Sequence, residues 1–295
     1  MSVRALILDQ VLRRAITHVD DLGTADVEIE QRARRGAPEP AALPASVRKQ
    51  LHVDERRVHD RPVITLRARA VPARRAVVFL AGGGYVHPIS TAHWTAVARF
   101  VRHGGVDAVV PLYQVAPQGD AVTAHALVGS VLDETIQTYG AGNVHVMGDS
   151  AGAGLALSVV QDQPRGVRSL VLLNPWVDVE AAHPAIEALA DWDVILRVQE
   201  LRRWGTAWAN GNPTSDPAVS PVHGRLNDLP PTHIVTGGRD ILLPDALDLH
   251  RSLKGYGNAG SLSYAPDANH AVGLLGPSTP EGKGAYRFIL GALRS

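Results

Sequence analysis

The residues best suited to chemistry lie in the segment VHVMGDSAGAGLALSVV, where Gly148 and Gly152 flank Ser150. An apolar run precedes this Gly-x-Ser-x-Gly pentapeptide and a helical pattern follows it, which is the strand–turn–helix setting that gives the motif its meaning. A tight turn there raises the serine hydroxyl above the sheet edge, where side chains at the two glycines would collide with the turn. The N–H of Ala151, at the start of the helix, can then point at a developing oxyanion. The spacing therefore predicts that Ser150 is a nucleophile.

A second glycine-rich segment, residues 82–84 in VVFLAGGGYVHP, directly follows an apolar run. Consecutive glycines let the backbone approach a ligand closely and turn N–H groups inward. We expect Gly83 and Gly84, together with Ala151, to donate hydrogen bonds to the oxyanion. The alternative is a flexible glycine loop without a ligand. A nucleotide-binding loop is disfavoured, because the glycines that follow Ser150 lack the G-x-G-x-x-G spacing and no G-K-[ST] follows them.

A carboxylate and an imidazole follow Ser150 in the order Ser, Asp, His. Asp240 lies just after the predicted strand 232–236, at the sheet edge where open α/β sheets carry their sites. His270 lies in the loop after the next strand. We expect His270 to take the proton of Ser150 and Asp240 to hold the imidazole. Asp178, which follows the preceding strand, is the main alternative for the acid.

Other candidates for the acid and the base fit less well. His87 and His93 precede Ser150 in the chain, although either could line a pocket, and His233 lies inside a predicted strand. Asp245 lies in a predicted helix, and Asp267 is only three residues from His270.

The rest of the chain alternates predicted strands and helices, which is typical of a mostly parallel sheet flanked by helices. Strands are predicted at residues 51–59, 63–70, 76–80, 108–112, 144–147, 170–173, 232–236 and 261–264. Helices are predicted at residues 94–101, 122–139, 151–160, 244–253 and 284–293.

Two segments depart from this alternation. Residues 3–20 have one apolar helical face, and residues 32–44 read as an exposed connection. Residues 176–215 hold four of the five tryptophans, so they are either a lid that walls the substrate pocket or a cap with its own core. We therefore divide the chain into an N-terminal cap segment and linker, residues 1–45, and a main domain, residues 46–295, with a cap insertion around 176–215.

Composition excludes several classes of protein. The chain has 295 residues, no cysteine, and equal numbers of basic and acidic residues, 29 of each. A balanced charge argues against nucleic-acid binding, and the lack of cysteine excludes thiol chemistry and thiolate metal sites. The N-terminus does not resemble a secretory signal and no apolar run approaches a membrane span, so we expect a cytoplasmic protein without a stable membrane anchor. We expect no metal.

These motifs resemble the hormone-sensitive-lipase-like esterases. The resemblance covers roughly residues 75–290 and is carried by Gly-Gly-Gly-Tyr after a strand, Gly-Asp-Ser-Ala-Gly, a late Asp-Ile-Leu and a later Asn-His. It implies an α/β-hydrolase core, a helical cap, no cofactor, and small esters with short or medium acyl chains as substrates. Two positions depart from the family pattern. Ala81 replaces the histidine that opens the family's glycine motif and supports its loop. Ala153 replaces a second glycine after the Gly-x-Ser-x-Gly turn, which is called the nucleophile elbow.

The sequence therefore predicts a serine carboxylesterase or deacetylase that works through an acyl-enzyme. An acyltransferase, lyase or cyclase on the same scaffold could use the same triad, and a non-catalytic receptor is a third alternative. We expect Tyr85, His87 and Trp176 to contact the substrate. The oligomeric state stays open, with a homodimer among the alternatives.

Overall fold

The computed structural model describes residues 2, 4, 6, 9–10, 24–36, 38–69 and 73–295. The helix predicted over residues 3–20 lies largely outside these residues. Within the described ranges, no helix is both long and apolar enough to cross a bilayer.

The described residues form one eight-stranded sheet with helices on both faces. Its order is β1-β2-β4-β3-β5-β6-β7-β8; the β1–β2 and β2–β4 pairs are antiparallel and the remaining pairs are parallel. The predicted α/β-hydrolase architecture is confirmed. The strands are β1 (Leu51–Val58), β2 (Arg61–Ala68), β3 (Ala76–Leu80), β4 (Asp107–Pro111), β5 (Val144–Asp149), β6 (Val167–Leu173), β7 (Thr232–Gly237) and β8 (Leu262–Ala265).

The five helices predicted at residues 94–101, 122–139, 151–160, 244–253 and 284–293 are present, and each is longer than predicted. Four further helices, Thr24–Arg35, Ala45–Gln50, Val198–Ala209 and Val272–Leu275, were not predicted from the sequence. Side chains cap three of the helix starts: Ser90 accepts the His93 N–H, Asp120 accepts the Thr123 N–H, and Thr279 accepts the Gly282 N–H. The helices are α1 (Thr24–Arg35), α2 (Ala45–Gln50), α3 (Thr91–Gly104), α4 (Ala121–Tyr139), α5 (Ala151–Asp162), α6 (Val198–Ala209), α7 (Leu243–Gly255), α8 (Val272–Leu275) and α9 (Pro280–Arg294).

Successive side chains of the central strands point to opposite faces of the sheet and pack into two separate hydrophobic cores. In β3, Val78 and Leu80 join the core beneath α4 and α5, whereas Val77 and Phe79 join the core beneath α3 and α9. All four side chains are fully buried. Because both faces are covered, these strands read as continuous apolar runs in the sequence.

The region predicted as an exposed connection is partly helical. Helix α1 runs through Arg35, so within the described residues only Gly36 and residues 38–44 are non-helical before α2. Helix α1 packs against α6 of the insertion, and Asp26 forms an ion pair with Arg203 at 3.1 Å. We refer to α1 and the insertion, residues 176–215, together as the cap. The proposed division at residue 45 stays a prediction.

Candidate active site

Ser150 occupies the sharp turn between β5 and α5. Its backbone has φ +52° and ψ −120°, a conformation that non-glycine residues rarely adopt. A Cβ atom at Gly148 would lie 2.1 Å from the carbonyl oxygen of Gly152, and one at Gly152 would lie 2.1 Å from that of Leu80. Both glycines are therefore required by close backbone approach, as the motif predicts.

His270 and Asp240 form a hydrogen-bonded pair, and His270 lines the same cavity as Ser150. His270 Nδ1 lies 3.0 Å from Asp240 Oδ2, and Asp240 is completely buried. Asp240 also accepts hydrogen bonds from the Leu242 N–H and from the side chain of Asn174. With Nδ1–H donating to the carboxylate, Nε2 of His270 is left as the basic nitrogen of the ring.

The environment of His270 favours its protonated form. Burial lowers the pKa of His270, but the charge and hydrogen bond of Asp240, with smaller contributions from Asp193 and Asp149, outweigh it and raise the pKa above its ordinary value. An imidazolium that forms during a reaction is stabilised by the same interactions.

The glycine loop presents unoccupied donors. Gly83 and Gly84 have positive φ angles of +128° and +61°. Among the described residues, the N–H groups of Gly83, Gly84 and Ala151 have no hydrogen-bond acceptor. Three free N–H groups near the turn that carries Ser150 can stabilise negative charge on a ligand oxygen.

The loop that lacks the family histidine at Ala81 is supported in other ways. The Gly82 N–H donates to Asp149 Oδ1 at 3.0 Å, and His93 Nε2 lies 3.2 Å from Asp149 Oδ2. Since the Ser90 N–H donates to His93 Nδ1, the ring proton of a neutral His93 is on Nε2 and faces the carboxylate. Tyr113 donates its hydroxyl proton to the Ala81 carbonyl at 2.5 Å. Asp149 therefore joins the loop to the elbow.

A cavity of about 680 Å³ opens over these residues. Ser150, His270, Gly83 and Gly84 line its floor, and the cap covers it with side chains from α1, α6 and the segment before α6. The cap side chains in the lining are Val27, Glu28, Gln31, Ile195, Leu196, Glu200 and Trp204. This volume lies within the ordinary range for sites that bind small organic molecules.

Of the three predicted substrate contacts, only His87 lines the cavity. Its Nε2 lies 3.0 Å from Glu28 Oε1, and its ring meets Trp204 edge-on at 5.4 Å between centroids. Tyr85 and Trp176 are fully buried instead, and Tyr85 is stacked on Trp208 at 4.2 Å. Tyr85 and Trp176 therefore lie outside the cavity lining, contrary to the expectation from the sequence, because their rings pack against each other at 5.3 Å between centroids.

Several polar residues of the site were not selected from the sequence. Asn174 directly follows β6 and donates to Asp240 Oδ2 at 2.8 Å, so its position after a strand end was a usable signal. Asp193 lies in the cap insertion and had no such signal. The described residues contain no cluster of three or more histidine or acidic side chains arranged for a metal ion.

A family model of the alpha/beta hydrolase fold matches residues 77–274. The chain belongs to the α/β-hydrolase family. The matched range includes the elbow, both loops that hold Asp240 and His270, and the cap insertion. The resemblance to esterases of the hormone-sensitive-lipase type that the motifs predict is confirmed.

The sequence of this α/β hydrolase is similar to those of a lipase and an acetyl-hydrolase. The chain is 33% identical to a triacylglycerol lipase of Mycobacterium tuberculosis over 213 residues, which cover 70% of this chain and 44% of the lipase. It is 27% identical to an acetyl-hydrolase of Streptomyces hygroscopicus, over 76% of this chain and 78% of that protein. The chain thus spans less than half of the lipase.

A solved structure extends the similarity to the whole fold. An esterase/lipase from an uncultured bacterium superimposes with a TM-score of 0.81 at 25% identity, and the match covers 100% of this chain and 98% of that one.

Proposed function

We propose that this α/β hydrolase cleaves carboxylic esters of small organic molecules through Ser150, His270 and Asp240. The observation that carries the proposal is the arrangement at the cavity floor. A strained serine and a histidine paired with a buried carboxylate line one cavity, beside backbone N–H groups that have no acceptor among the described residues. The activities named for the lipase and the acetyl-hydrolase support the same class of reaction.

In the first half-reaction, His270 Nε2 accepts the hydroxyl proton of Ser150 while Oγ attacks the ester carbonyl carbon. The carbonyl oxygen becomes an oxyanion, which the N–H groups of Gly83, Gly84 and Ala151 stabilise. His270 then donates its proton to the leaving alcohol oxygen, the C–O bond breaks, and the acyl group remains on Ser150.

In the second half-reaction, water replaces the alcohol. His270 accepts a proton from the water, whose oxygen attacks the acyl carbon, and then returns that proton to Ser150 Oγ as the acid leaves. Throughout, Asp240 keeps Nδ1 protonated and stabilises the imidazolium that forms twice in the cycle. The raised pKa of His270 is consistent with this role.

The cavity lining supports short or medium acyl chains. Val27, Ile195, Leu196 and Leu274 supply apolar surface in the cavity that Ser150 also lines, and the cap adds the polar side chains of Glu28, Gln31 and Glu200. Trp204 lies directly over Gly84 and limits the space above the oxyanion donors. We expect activity to be highest on short acyl chains and to fall towards decanoate in a panel of p-nitrophenyl esters.

The test is the replacement of the nucleophile. Ser150→Ala is expected to abolish hydrolysis of p-nitrophenyl acetate, and a fluorophosphonate should label the unsubstituted protein on the peptide that contains Ser150. Asp240→Asn should lower kcat by roughly 10⁴ because the imidazole loses its correct tautomer. Ser252→Ala, at an exposed position in α7, is the matched control and should retain full activity.

Unchanged turnover in Ser150→Ala would refute the proposed mechanism. Near-full activity in Asp240→Asn would transfer the acid role to another carboxylate, with Asp178 the first to examine. Circular dichroism of each variant shows whether a loss of activity reflects a loss of fold.

A further inference from the structure

A second buried carboxylate, Asp193, lies beside the acid–base pair. It belongs to the cap segment between the short 3₁₀ turn Glu187–Leu189 and α6, and only 2% of its surface is exposed. Its Oδ1 accepts the N–H groups of Ile195 and Leu196 at 2.8 and 2.9 Å. This carboxylate is therefore held firmly by its own loop.

The other oxygen of Asp193 reaches across to the loop that carries the catalytic acid. Asp193 Oδ2 accepts the Ile241 N–H at 2.9 Å, while Asp240 Oδ1 accepts the next N–H along the chain, that of Leu242. Two neighbouring peptide groups thus serve two different carboxylates. The ring of Trp192 lies 5.9 Å from the guanidinium carbon of Arg239, which adds a second contact between the cap and this loop.

The two carboxylates and the imidazole influence one another electrostatically. Burial and the negative charge of Asp240 raise the pKa of Asp193, whereas the positive charge of a protonated His270 opposes that rise. Acidic side chains that act on His270 come from three elements: Asp240 after β7, Asp193 in the cap and Asp149 at the end of β5. A buried negative charge without a counter-ion is costly, so its retention calls for a cation nearby.

We propose that Asp193 is a positioning residue of the active site. Through Asp193 the cap fixes the position of the Asp240 loop, and the carboxylate of Asp193 adds a second negative charge that stabilises the protonated form of His270. The proposal rests on the proposed function, since it assigns that imidazole the role of base. Asp193 is not among the residues that line the cavity. It acts on the reaction through His270 and Asp240.

The proposal differs from a purely structural role in one measurable respect. A carboxylate that only anchored the cap would affect folding and cap closure, and its loss would lower stability or raise KM. A carboxylate that also stabilises the imidazolium affects the pKa of His270, and its loss lowers kcat with little change in KM. The pKa of His270 is therefore the decisive readout.

The experiment is an NMR titration of ring-labelled histidine in the Ser150→Ala background, where it does not depend on catalysis. Adding Asp193→Asn removes the charge and is expected to lower the pKa of His270 by about one pH unit. Asp191→Asn, two residues away and exposed, is the matched control and should leave that pKa unchanged. In the active enzyme, Asp193→Asn should shift the acid limb of kcat/KM by the same amount and lower kcat about tenfold.

An unshifted His270 pKa in a folded Asp193→Asn variant overturns the proposal, whatever happens to its melting temperature. If that variant does not fold, Asp240→Asn supplies the second measurement. There the pKa of His270 should fall further than the fall expected for Asp193→Asn, because Asp240 contributes more than Asp193 to the rise. Asp193→Ser, which also removes the charge of Asp193 and keeps a hydrogen-bond acceptor, should lower the pKa of His270 relative to Ser150→Ala alone, and an unshifted pKa in a folded Asp193→Ser variant also overturns the proposal. Because the titration needs no turnover, a failure here is distinct from a failure of the proposed function.

Discussion

Replacing Asp245 by asparagine is expected to stabilise the protein at alkaline pH. Asp245 is the third residue of α7, 6% exposed, and its Oδ2 has no hydrogen-bond partner among the described residues. Burial, and then the charge of Asp178, raise the pKa of Asp245 from its ordinary 3.8 to about 6. The ionised carboxylate is therefore disfavoured in the folded protein, and asparagine removes that charge while keeping the shape.

The magnitude follows from the pKa difference. A rise from 3.8 to about 6 corresponds to roughly 3 kcal/mol, at about 1.4 kcal/mol per pKa unit. The first turn of a helix favours a negative charge by up to about 1 kcal/mol, which the substitution gives up. The net gain is about 2 kcal/mol. For a chain of this size we expect the melting temperature to rise by roughly 3 °C.

The sign depends on pH. Because the folded-state pKa of Asp245 lies above the unfolded value, the penalty is absent below about pH 4, grows as the pH rises to about 6 and is complete above it. Thermal unfolding at pH 4 and pH 8 should therefore show a gain only at pH 8. Asp133→Asn, at an exposed position in α4, serves as the control. Equal melting temperatures of variant and unsubstituted protein at both pH values would refute the reasoning.

Two further substitutions examine the site and the core. Gly84→Ala should lower kcat about a hundredfold while the fold persists. The new Cβ would lie 2.5 Å from Trp204 Cε3 at a residue whose φ is +61°, so the loop and its N–H donors would have to shift. Steady-state kinetics measures the effect, and a fully active variant would contradict the assigned donors. Burial and the positive charge of Arg168 lower the pKa of His145 to about 4, so its contribution to stability is present above pH 6.5 and is lost as the pH falls towards 4. His145→Gln should therefore lose less stability between pH 7 and pH 4.5 than the unsubstituted protein in urea titrations, and an equal loss would show that another group controls acid unfolding.

Much of the core architecture could be predicted from local patterns. The apolar runs that become β3 to β6 are buried on both faces, and such strands are recognisable in the sequence because most of their side chains are apolar. Ser150, Asp240 and His270 could be nominated because each follows a recognisable strand, and the carboxyl ends of parallel strands meet at one edge. The cavity that Ser150 and His270 share, and the 3.0 Å contact between His270 and Asp240, are decided by the tertiary structure.

The cap was less predictable. Asp193 lies in a segment without periodicity, and its partner in the core loop is a backbone N–H 48 residues away, which has no side-chain signature. Tyr85 and Trp176 illustrate the same limit, since an aromatic residue after a strand can face a ligand or pack inside. The stacking of Tyr85 on Trp208 decided the matter.

The sequence by itself determined the kinds of elements, their order and the chemistry available at the ends of the strands. Apolar periodicity, glycine spacing and the order of three polar residues are local properties that a chain carries before it folds. Only the tertiary structure decided which side chains surround the cavity and how charged groups act on one another. Burial and electrostatic interaction depend on distances between segments far apart in the chain, and packing of the cap against the sheet sets those distances.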